Sequence, residues 1–566
     1  MTLAAGLREQ VLTWIAADVS EQDKAELTAL LADDSPAAAA ELASRFAGRL
    51  RFGPDGLRGP AAAGPRRMNR ATVTTTSAAV AGWLLDRAPG AATAGVVIGR
   101  DAARVSAAFA AQAAGVFAGA GIRVRLLAGG QPTPFLSFAV RFFGAAAGVM
   151  ITAGLGPAAD SRYRVYDGDG ARLAPPGDAD IDAALTMLGP LPDIAIAPSG
   201  SPLISAHGDE EARAYLDSVC ATAGQAPPSA AWLRFAYTPL HGVAGALALR
   251  AFEQGGYPAP DVVASQLQPD PDVPSRPAGD LAEPGALDLA IALARRSSCD
   301  LVLATDTDGG RLAVAVPDAA APGGYRQLTA DQLGALLGAF VLGRMAAEPG
   351  VVMSQQLVVS TVVCGSLLPK IAAAAGARHV LAPIGSERLV RAADLRPDAR
   401  FAFGYSEEAS YALGGAVPDC DGICAGLAVL RLAAIARSVG ESLQDAYDAL
   451  EAAHGVHLTA RLAWPGRAAV DVMSRLRTAG PAELSGQPVI RMTDYTGGSW
   501  ELPSADMISY ELPGARVVVG TADGEPEITA YLEVVEQVSG RSLATARQAA
   551  HSRLERLRLA VADLLG

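Results

Sequence analysis

Short apolar, β-branched segments alternate with longer segments rich in Ala and Leu along most of this 566-residue chain. Such apolar segments stand at residues 96–99, 149–152, 301–304 and 357–360, and the first is followed by a helical stretch at 106–120. Strands that alternate with helices are typical of sheets covered by helices on their faces. The alternation therefore predicts an α/β fold, and a length prior of about 150 residues per domain suggests about four domains.

Composition and charge exclude several classes of protein. Half of the residues are hydrophobic and the mean hydropathy is +0.24, so the chain can bury several cores. No run approaches the roughly 20 apolar residues of a membrane helix, and the first 20 residues lack the order of a signal peptide. We therefore expect a cytoplasmic protein without a membrane partner. The net charge of −13 argues against a nucleic-acid partner.

The five cysteines are scattered and odd in number, so a disulfide framework is not expected. Cys420 and Cys424 lie close together, but no second Cys or His pair accompanies them, and the spacing does not predict a zinc site. No Ser-His-Asp order, phosphate-binding P-loop or dinucleotide fingerprint stands out in the chain.

A series of short motifs carries the more specific signal. They read FGPDGLRG at 52–59, VIGRD at 97–101, PTP at 132–134, YTPLHG at 237–242, EPGA at 283–286, STVV at 360–363, FGY at 403–405 and DCDG at 419–422. Their order and spacing resemble the α-D-phosphohexomutases, above all the long phosphoglucomutase/phosphopentomutase branch. The resemblance runs from about residue 50 to 535.

This resemblance implies a four-domain architecture, with three mixed α/β domains and a smaller C-terminal α+β domain around a central cleft. We expect these domains at 1–205, 206–322, 323–455 and 456–566. The family moves a phosphoryl group between two hydroxyls of one sugar phosphate, through a phosphoserine and a bisphosphate intermediate. That chemistry needs a hydroxyl nucleophile, a divalent cation, groups that hold the sugar, and a cationic cradle for the distal phosphate.

The phosphoserine loop, 151–158, lacks its nucleophile. The family reads roughly T-A-S-H-N-P there, and this chain places Gly154, Leu155 and Gly156 at the Ser, His and Asn positions. Glycine has no side chain that could carry a phosphoryl group. Ser161 is the open alternative for a relocated nucleophile, because seven extended residues can span about 23 Å.

The metal loop, 306–311, resembles D-P-D-A-D-R. Asp306 and Asp308 remain as vestigial ligands, and Gly310 takes the place of the third. We expect no resident cofactor, with Mg²⁺ as the ion if any metal is bound, since Mg²⁺ can sit on one or two carboxylates. The open alternative is that both aspartates only shape the turn after a strand.

The sugar loop, 403–411, resembles F-G-Y-E-E-[SA]-x-G. A gap-free alignment puts Ser406 at the first Glu position. A slip of one residue restores an acidic pattern at Glu407, Glu408 and Ser410. The loop by itself leaves both alignments open, so we keep these last three residues as candidate cleft residues.

The distal phosphate loop, 520–527, has lost its donors. The family's R-P-S-G-T-E-P-K becomes a segment that includes Gly520, Ala522, Gly524 and Glu527. Together with Glu387, Pro418 and Cys420 at three other basic positions of the family, five cations are lost and two anions gained. One like-charge pair at ~4 Å costs on the order of 4 kcal/mol at an effective dielectric of about 20. A sugar bisphosphate should be repelled.

Arg58, His241 and Arg311 are retained as candidate cleft residues, although each can equally hold a loop in place. Losses in three separate loops predict a catalytically inactive homologue with a binding, regulatory or partner role. A sugar or other small molecule, or a protein partner such as an active paralogue, would then be its ligand. The alternative is an active intramolecular phosphotransferase, a phosphoglucomutase, phosphomannomutase or phosphopentomutase, with a non-standard nucleophile. A different enzyme in a remodelled cleft is a third interpretation.

Overall fold

A computed structural model describes residues 5–53, 55–153, 160–173, 175–189, 191–270, 281–415, 417–464, 469–498, 502, 504–521 and 527–566. Gly154, Ala522 and Gly524 lie outside these ranges. The chain forms two compact units, one of Met1–Gln225, Arg234–Leu312 and Gly415–Leu427, the other of Ala226–Leu233, Ala313–Gly414 and Ala428–Gly566. The four predicted domain boundaries stay predictions.

The first unit is built on a six-stranded sheet with the order β1-β5-β4-β2-β3-β6. Its strands are β1 (Leu57–Pro60), β2 (Val96–Arg100), β3 (Val124–Leu127), β4 (Ala147–Ala153), β5 (Asp160–Asp167) and β6 (Ile204–His207). The β4, β2, β3 and β6 strands are parallel, whereas β5 runs antiparallel to both β4 and β1. This antiparallel edge receives the chain directly after residues 154–159.

Helices precede, separate and follow these strands along the chain. They are α1 (Ala5–Ala17), α2 (Glu21–Ala32), α3 (Pro36–Arg45), α4 (Arg70–Arg87), α5 (Ala91–Ala94), α6 (Arg104–Gly119), α7 (Thr133–Phe143), α8 (Gly177–Met187) and α9 (Asp209–Ala223). Ser20 and Asn69 cap α2 and α4 through side chains that accept backbone N–H bonds. The core between sheet and helices contains Val80, Phe117 and Tyr163.

The same unit contains a second set of parallel strands, β7 (Phe235–Thr238), β8 (Asp261–Val262) and β9 (Leu301–Thr305), in the order β8-β7-β9. Its helices are α10 (Gly245–Gln254) and α11 (Asp288–Ser297). All residues of β7 and β9 are buried, as expected for parallel strands covered on both faces. The acidic turn after β9 therefore starts from a rigid element.

The second unit contains a hairpin, a four-stranded sheet and a five-stranded antiparallel sheet. The hairpin is β10 (Leu312–Pro317) and β11 (Tyr325–Gln327), and the four-stranded sheet has the order β13-β12-β14-β15. The latter strands are β12 (Gln356–Thr361), β13 (Arg378–Ala382), β14 (Arg400–Tyr405) and β15 (Tyr411–Leu413). The helices that accompany them are α12 (Ala330–Ala346), α13 (Leu367–Ala374), α14 (Gly422–Ser438), which begins in the first unit, and α15 (Leu443–His454).

The C-terminal sheet has the order β16-β22-β21-β20-β19 and is antiparallel throughout. Its strands are β16 (Val456–Trp464), β19 (Arg491–Asp494), β20 (Met507–Leu512), β21 (Ala515–Thr521) and β22 (Ile528–Glu536), and a small hairpin joins β17 (Glu483–Leu484) to β18 (Gln487–Pro488). One core packs this sheet against α16 (Ala469–Thr478) and α17 (Leu543–Leu565).

The predicted fold class is confirmed, and so are the strands expected at 96–99, 149–152, 301–304 and 357–360, which fall in β2, β4, β9 and β12. The helix expected at 106–120 lies within one residue of α6 at its C-terminal end. Within the described ranges, no single helix is long and apolar enough to cross a membrane. Only α14 and α15, bent by 87°, reach that criterion as a pair.

Candidate functional site

The β5 strand sorts its side chains onto two faces of the sheet. Successive strand residues point to opposite sides. Tyr163 belongs to the hydrophobic core and Ser161 is 1% exposed on the same side. Arg162 and Arg164 project from the other face, where Arg162 lies directly opposite Arg58 of β1. One face of this sheet edge is therefore strongly cationic.

Two aspartates lie against these arginines. The guanidinium of Arg164 donates from Nε to Asp55 Oδ1 and from Nη1 to Asp308 Oδ2, both at 3.1 Å. Its side chain is only 7% exposed. Arg172 adds contacts of 3.5 Å to Asp55 and 3.3 Å to Asp419. The fold thus joins the 52–59 motif to the predicted metal loop through a buried cation supplied by the protein.

The pKa values in this cluster follow from burial and these arginines. Burial alone would raise the pKa of Asp55, but Arg164, Arg162 and Arg172 lower it to about 2. Burial likewise opposes ionisation of Asp308, and Arg164 holds the pKa of that carboxyl well below its usual range. Asp308 is therefore ionised, and its charge is already compensated within the protein.

Asp306 behaves differently, although it stands only two residues earlier. Burial, followed by the charge of Asp308, raises the pKa of Asp306 to about 7. Its carboxylate accepts bonds from the backbone N–H and the Nε of Arg311, each at 2.9 Å. Arg311 therefore pins the turn that starts at the end of β9. The hydroxyl of Thr133 donates to Asp308 at 3.2 Å and ties the same turn to α7.

These residues do not fit a Mg²⁺ site. Both surviving carboxylates are paired with guanidinium groups, and Gly310 contributes no third ligand. A Cβ at Gly310 would meet Asp308 Oδ1 at 3.7 Å and Cys420 O at 3.9 Å, so the space for a side chain is open, but glycine places no third carboxylate in it. Among the described residues, no group of three His, Cys, Asp or Glu side chains converges as metal ligands.

The two other retained residues of this unit take separate places. Arg58 pairs with Asp160 at 2.8 Å, and its side chain is 42% exposed beside Arg162. His241 has a positive φ of 63°, and its backbone N–H donates to Gln266 O. The next residue, Gly242, packs so closely on the metal loop that a Cβ would lie 2.5 Å from Thr307 Cα. The YTPLHG motif therefore supports the metal loop through its backbone.

In the second unit, the sugar loop forms a tight turn between β14 and β15. Ser406 N–H donates to Ser410 O, and both residues are buried. Glu407 accepts a 2.5 Å bond from the hydroxyl of Thr361. Desolvation, then the charge of Glu408, raises its pKa to about 7, with a further contribution from Glu387. The loop therefore brings two carboxyl groups, Glu407 and Glu408, close to Glu387.

The described ends of the phosphate loop are unsuited to phosphate. Gly520 lies in β21 opposite Met507, and a Cβ there would stand 2.6 Å from Met507 Cγ. Glu527 lies 3.8 Å from Arg461 of β16, so its carboxylate is paired with a cation of this sheet. An arginine at position 520 has no room unless Met507 moves.

Sequence reasoning missed Asp55, Arg162, Arg164 and Arg172. The signal was present as two arginines at alternating positions immediately after the predicted phosphoserine loop. Which face they occupy becomes clear only once Tyr163 is placed in the core. The predicted residues 58, 306, 308 and 311 and the missed arginines lie in one unit, while the predicted residues 407, 408, 410, 520 and 527 lie in the other.

Comparisons with known proteins agree with this fold. Models of phosphoglucomutase/phosphomannomutase α/β/α domains I, II and III match residues 49–188, 213–321 and 329–453. The chain is 30% identical to a "Probable phosphoribomutase" of Schizosaccharomyces pombe over 93% of each chain. It is 29% identical to a "Phosphoglucomutase" of Staphylococcus epidermidis, over 83% of this chain and 86% of that one.

A solved structure of a phosphoglucomutase/phosphomannomutase family protein from Burkholderia thailandensis has a TM-score of 0.65 with 18% identity. The match covers 90% of this chain and 97% of that one. At this identity the likeness concerns the fold alone.

Proposed function

Because the chain belongs to the phosphoglucomutase/phosphomannomutase family, we propose that it is a family member without mutase activity that acts by binding. The observation that carries this proposal is the pairing of Asp308 with the buried guanidinium of Arg164 at 3.1 Å. This pairing compensates within the protein the charge that the carboxylate would otherwise offer to a divalent cation. With Gly310 in the third position, the metal-assisted step of the family has no support.

The position of Ser161 argues against a relocated nucleophile. Its hydroxyl is buried on the core face of β5, the face that also carries Tyr163. Asp308 is bonded to Arg164, which projects from the opposite face of the same strand. A phosphoryl group on Ser161 would have to enter the hydrophobic core, where an unpaired charge is costly.

The losses also reach the second unit. Gly520 is packed against Met507, and the carboxylates of Glu387 and Glu408 bring negative charge to the remaining loops. A second phosphate would be repelled by these carboxylates and would find no arginine at position 520. We therefore infer a neutral sugar, another small molecule or a protein partner such as an active paralogue as the ligand, in the cytoplasm.

A coupled mutase assay tests the proposal. Purified protein is incubated with glucose 1-phosphate, mannose 1-phosphate or ribose 1-phosphate, together with Mg²⁺ and a bisphosphate activator. We expect no turnover on any of the three. Turnover of about 1 s⁻¹ or more, at the low end of ordinary enzymes, would overturn the proposal if Asp308→Ala abolished it.

Repair variants make the test sharper. Gly154→Ser restores the missing hydroxyl alone, and Gly154→Ser/Gly310→Asp restores a metal ligand as well. We expect both to stay inactive, because Arg164 still holds Asp308 and the phosphate loop still lacks its cations. Intact mass after incubation with glucose 1,6-bisphosphate should show no phosphoprotein in the wild type. Mutase activity in Gly154→Ser alone would contradict the proposal that several loops have each lost groups needed for the reaction.

A further inference from the structure

A serine, a histidine and a glutamate form a hydrogen-bonded chain at the β6 edge of the six-stranded sheet. Ser205 and His207 are two residues apart on β6, so their side chains share one face of the strand. Glu211 lies in the first turn of α9, which begins directly after this strand. The strand-to-helix connection therefore brings the three side chains together over seven residues.

The distances match those of an activated nucleophile. Ser205 Oγ lies 2.9 Å from His207 Nε2, and His207 Nδ1 lies 2.9 Å from Glu211 Oε1. The second oxygen of Glu211 accepts the backbone N–H of Gly208 at 2.8 Å, which fixes the carboxylate at the N-terminus of α9. A hydroxyl bonded to an imidazole, itself oriented by a carboxylate, is the arrangement by which serine nucleophiles are activated.

The hydrogen bonds also determine the imidazole tautomer. The pKa of Glu211 is lowered, as the bonds from its own backbone N–H, His207 and Gly208 outweigh burial. An ionised carboxylate can only accept, so the proton of neutral His207 resides on Nδ1. Nε2 then carries the lone pair and accepts the Ser205 hydroxyl. The alternative acceptor for that hydroxyl, Val124 O, lies farther away at 3.3 Å.

Ser205 is open to solvent, whereas its partners are held in place. Ser205 is exposed, the His207 side chain is 26% exposed and that of Glu211 is 6% exposed. The ring of Phe143 stands edge-on to the imidazole with centroids 4.8 Å apart. Reagents can therefore reach the hydroxyl while the base stays oriented.

A cation lies in register with the serine. Arg125 of β3 is the parallel-strand partner of Ser205, and its guanidinium lies 4.9 Å from the Phe143 ring centroid. Within the described part of the chain, Arg125 has no carboxylate partner. Its Nη1 donates to Ala94 O at 2.6 Å, so the guanidinium is held in place on the strand next to that of Ser205. Positive charge on the neighbouring strand favours negative charge that develops on a substrate oxygen, the kind of stabilisation that acyl transfer uses.

We propose that Ser205 is a nucleophile that accepts acyl groups from carboxylic esters, with His207 as its general base and Glu211 as the positioning residue. Ser205 Oγ bonds to the ester carbonyl carbon and its proton passes to His207 Nε2. The bond between that carbon and the alcohol oxygen breaks, and the departing alcohol takes the proton from His207. Water then cleaves the acyl-serine by the same base and releases the carboxylic acid.

This site is separate from the proposed function. Residues 205, 207 and 211 fall between the segments matched by the family's domain I and domain II models, 49–188 and 213–321. The mutase assay and the experiment below therefore succeed or fail independently.

The experiment follows acylation of the full-length protein by p-nitrophenyl acetate and labelling by a fluorophosphonate probe, with peptide mass spectrometry to locate the modified residue. We expect one acetyl group on Ser205 and release of p-nitrophenolate. Ser205→Ala should abolish this labelling, because it removes the hydroxyl that is acylated. His207→Gln should lower the labelling rate by about 100-fold or more, the usual contribution of a positioned base. Ser201→Ala is the matched control, because Ser201 lies on the approach to β6 and its hydroxyl accepts the N–H of Leu203 at 3.3 Å.

The role of Glu211 needs a readout beyond rate, because the residue also caps α9. Histidine ¹⁵N shifts should report the Nδ1–H tautomer in the wild type and lose it in Glu211→Gln. Thermal melts establish that each variant is folded. Equal labelling of wild type and Ser205→Ala, or modification spread over other residues, would overturn the proposal, and so would full labelling in folded His207→Gln.

Discussion

Arg164 should contribute far more to stability than Arg162, although the two arginines project from the same face of β5. Arg164 is 7% exposed and bridges Asp55 and Asp308 at 3.1 Å each. Arg162 is 33% exposed and contacts only Asp55 among the described carboxylates, at 3.5 Å. Removing one partner of a buried ion pair costs about 3 to 5 kcal/mol, because the remaining charge stays buried. An exposed pair is worth about 0 to 1 kcal/mol.

Arg164→Met should therefore lose about 3 to 5 kcal/mol, and its control Arg162→Met should lose less than about 1 kcal/mol. For a domain of 150 to 250 residues, about 2 to 4 °C of Tm corresponds to 1 kcal/mol. The first variant should then melt about 6 to 20 °C below the wild type, as read by circular dichroism or calorimetry. Equal shifts in the two variants would refute the assignment of Arg164 as the internal cation of this cluster.

Three further predictions concern the other loops and the second unit. Mg²⁺ should leave the Tm of the wild type unchanged. It should raise the Tm of Arg164→Met/Gly310→Asp, because this variant releases Asp308 and adds a third carboxylate. A rise in the Tm of the wild type with Mg²⁺ would count against the pairing of Asp308 with Arg164. Gly520→Arg should cost about 1 to 3 kcal/mol in urea unfolding, since Met507 must move; an unchanged midpoint would contradict this packing argument. The pKa of Glu533 is lowered to about 2, because bonds from His457 and Arg516 outweigh burial. The lowered pKa of Glu533 should therefore contribute about 3 kcal/mol to the free energy of unfolding. This contribution should be complete above pH ~4.5 and should be lost as the pH falls towards 2. In Glu533→Gln, the free energy of unfolding should depend less on pH over this range than it does in the wild type. Parallel curves of unfolding free energy against pH for the two proteins would refute the prediction.

Most of the fold could be predicted from the sequence, because the patterns that indicate strands and helices involve residues close together in the chain. Buried parallel strands such as β9 consist of β-branched and apolar residues between turns, so a few adjacent residues identify them. The order of the family motifs then supplied the architecture, and the domain models confirm the family.

The site was only partly readable, because its contacts are not local. Asp55 and Arg164 are 109 residues apart, and the sequence of neither segment indicates that the two side chains are in contact. The chain of Ser205, His207 and Glu211 escaped notice for a different reason. Its three residues are close in sequence, but a strand followed by a helix turn is needed to aim all three side chains at one another.

The two damaged loops differ in one respect that bears on history. At Gly310 the space for a side chain remains open, whereas at Gly520 it has been filled by Met507. A single base-pair change could restore a carboxylate at the first position without a clash. Restoring an arginine at the second position carries the cost of moving Met507, so the two losses differ in how easily one substitution reverses them.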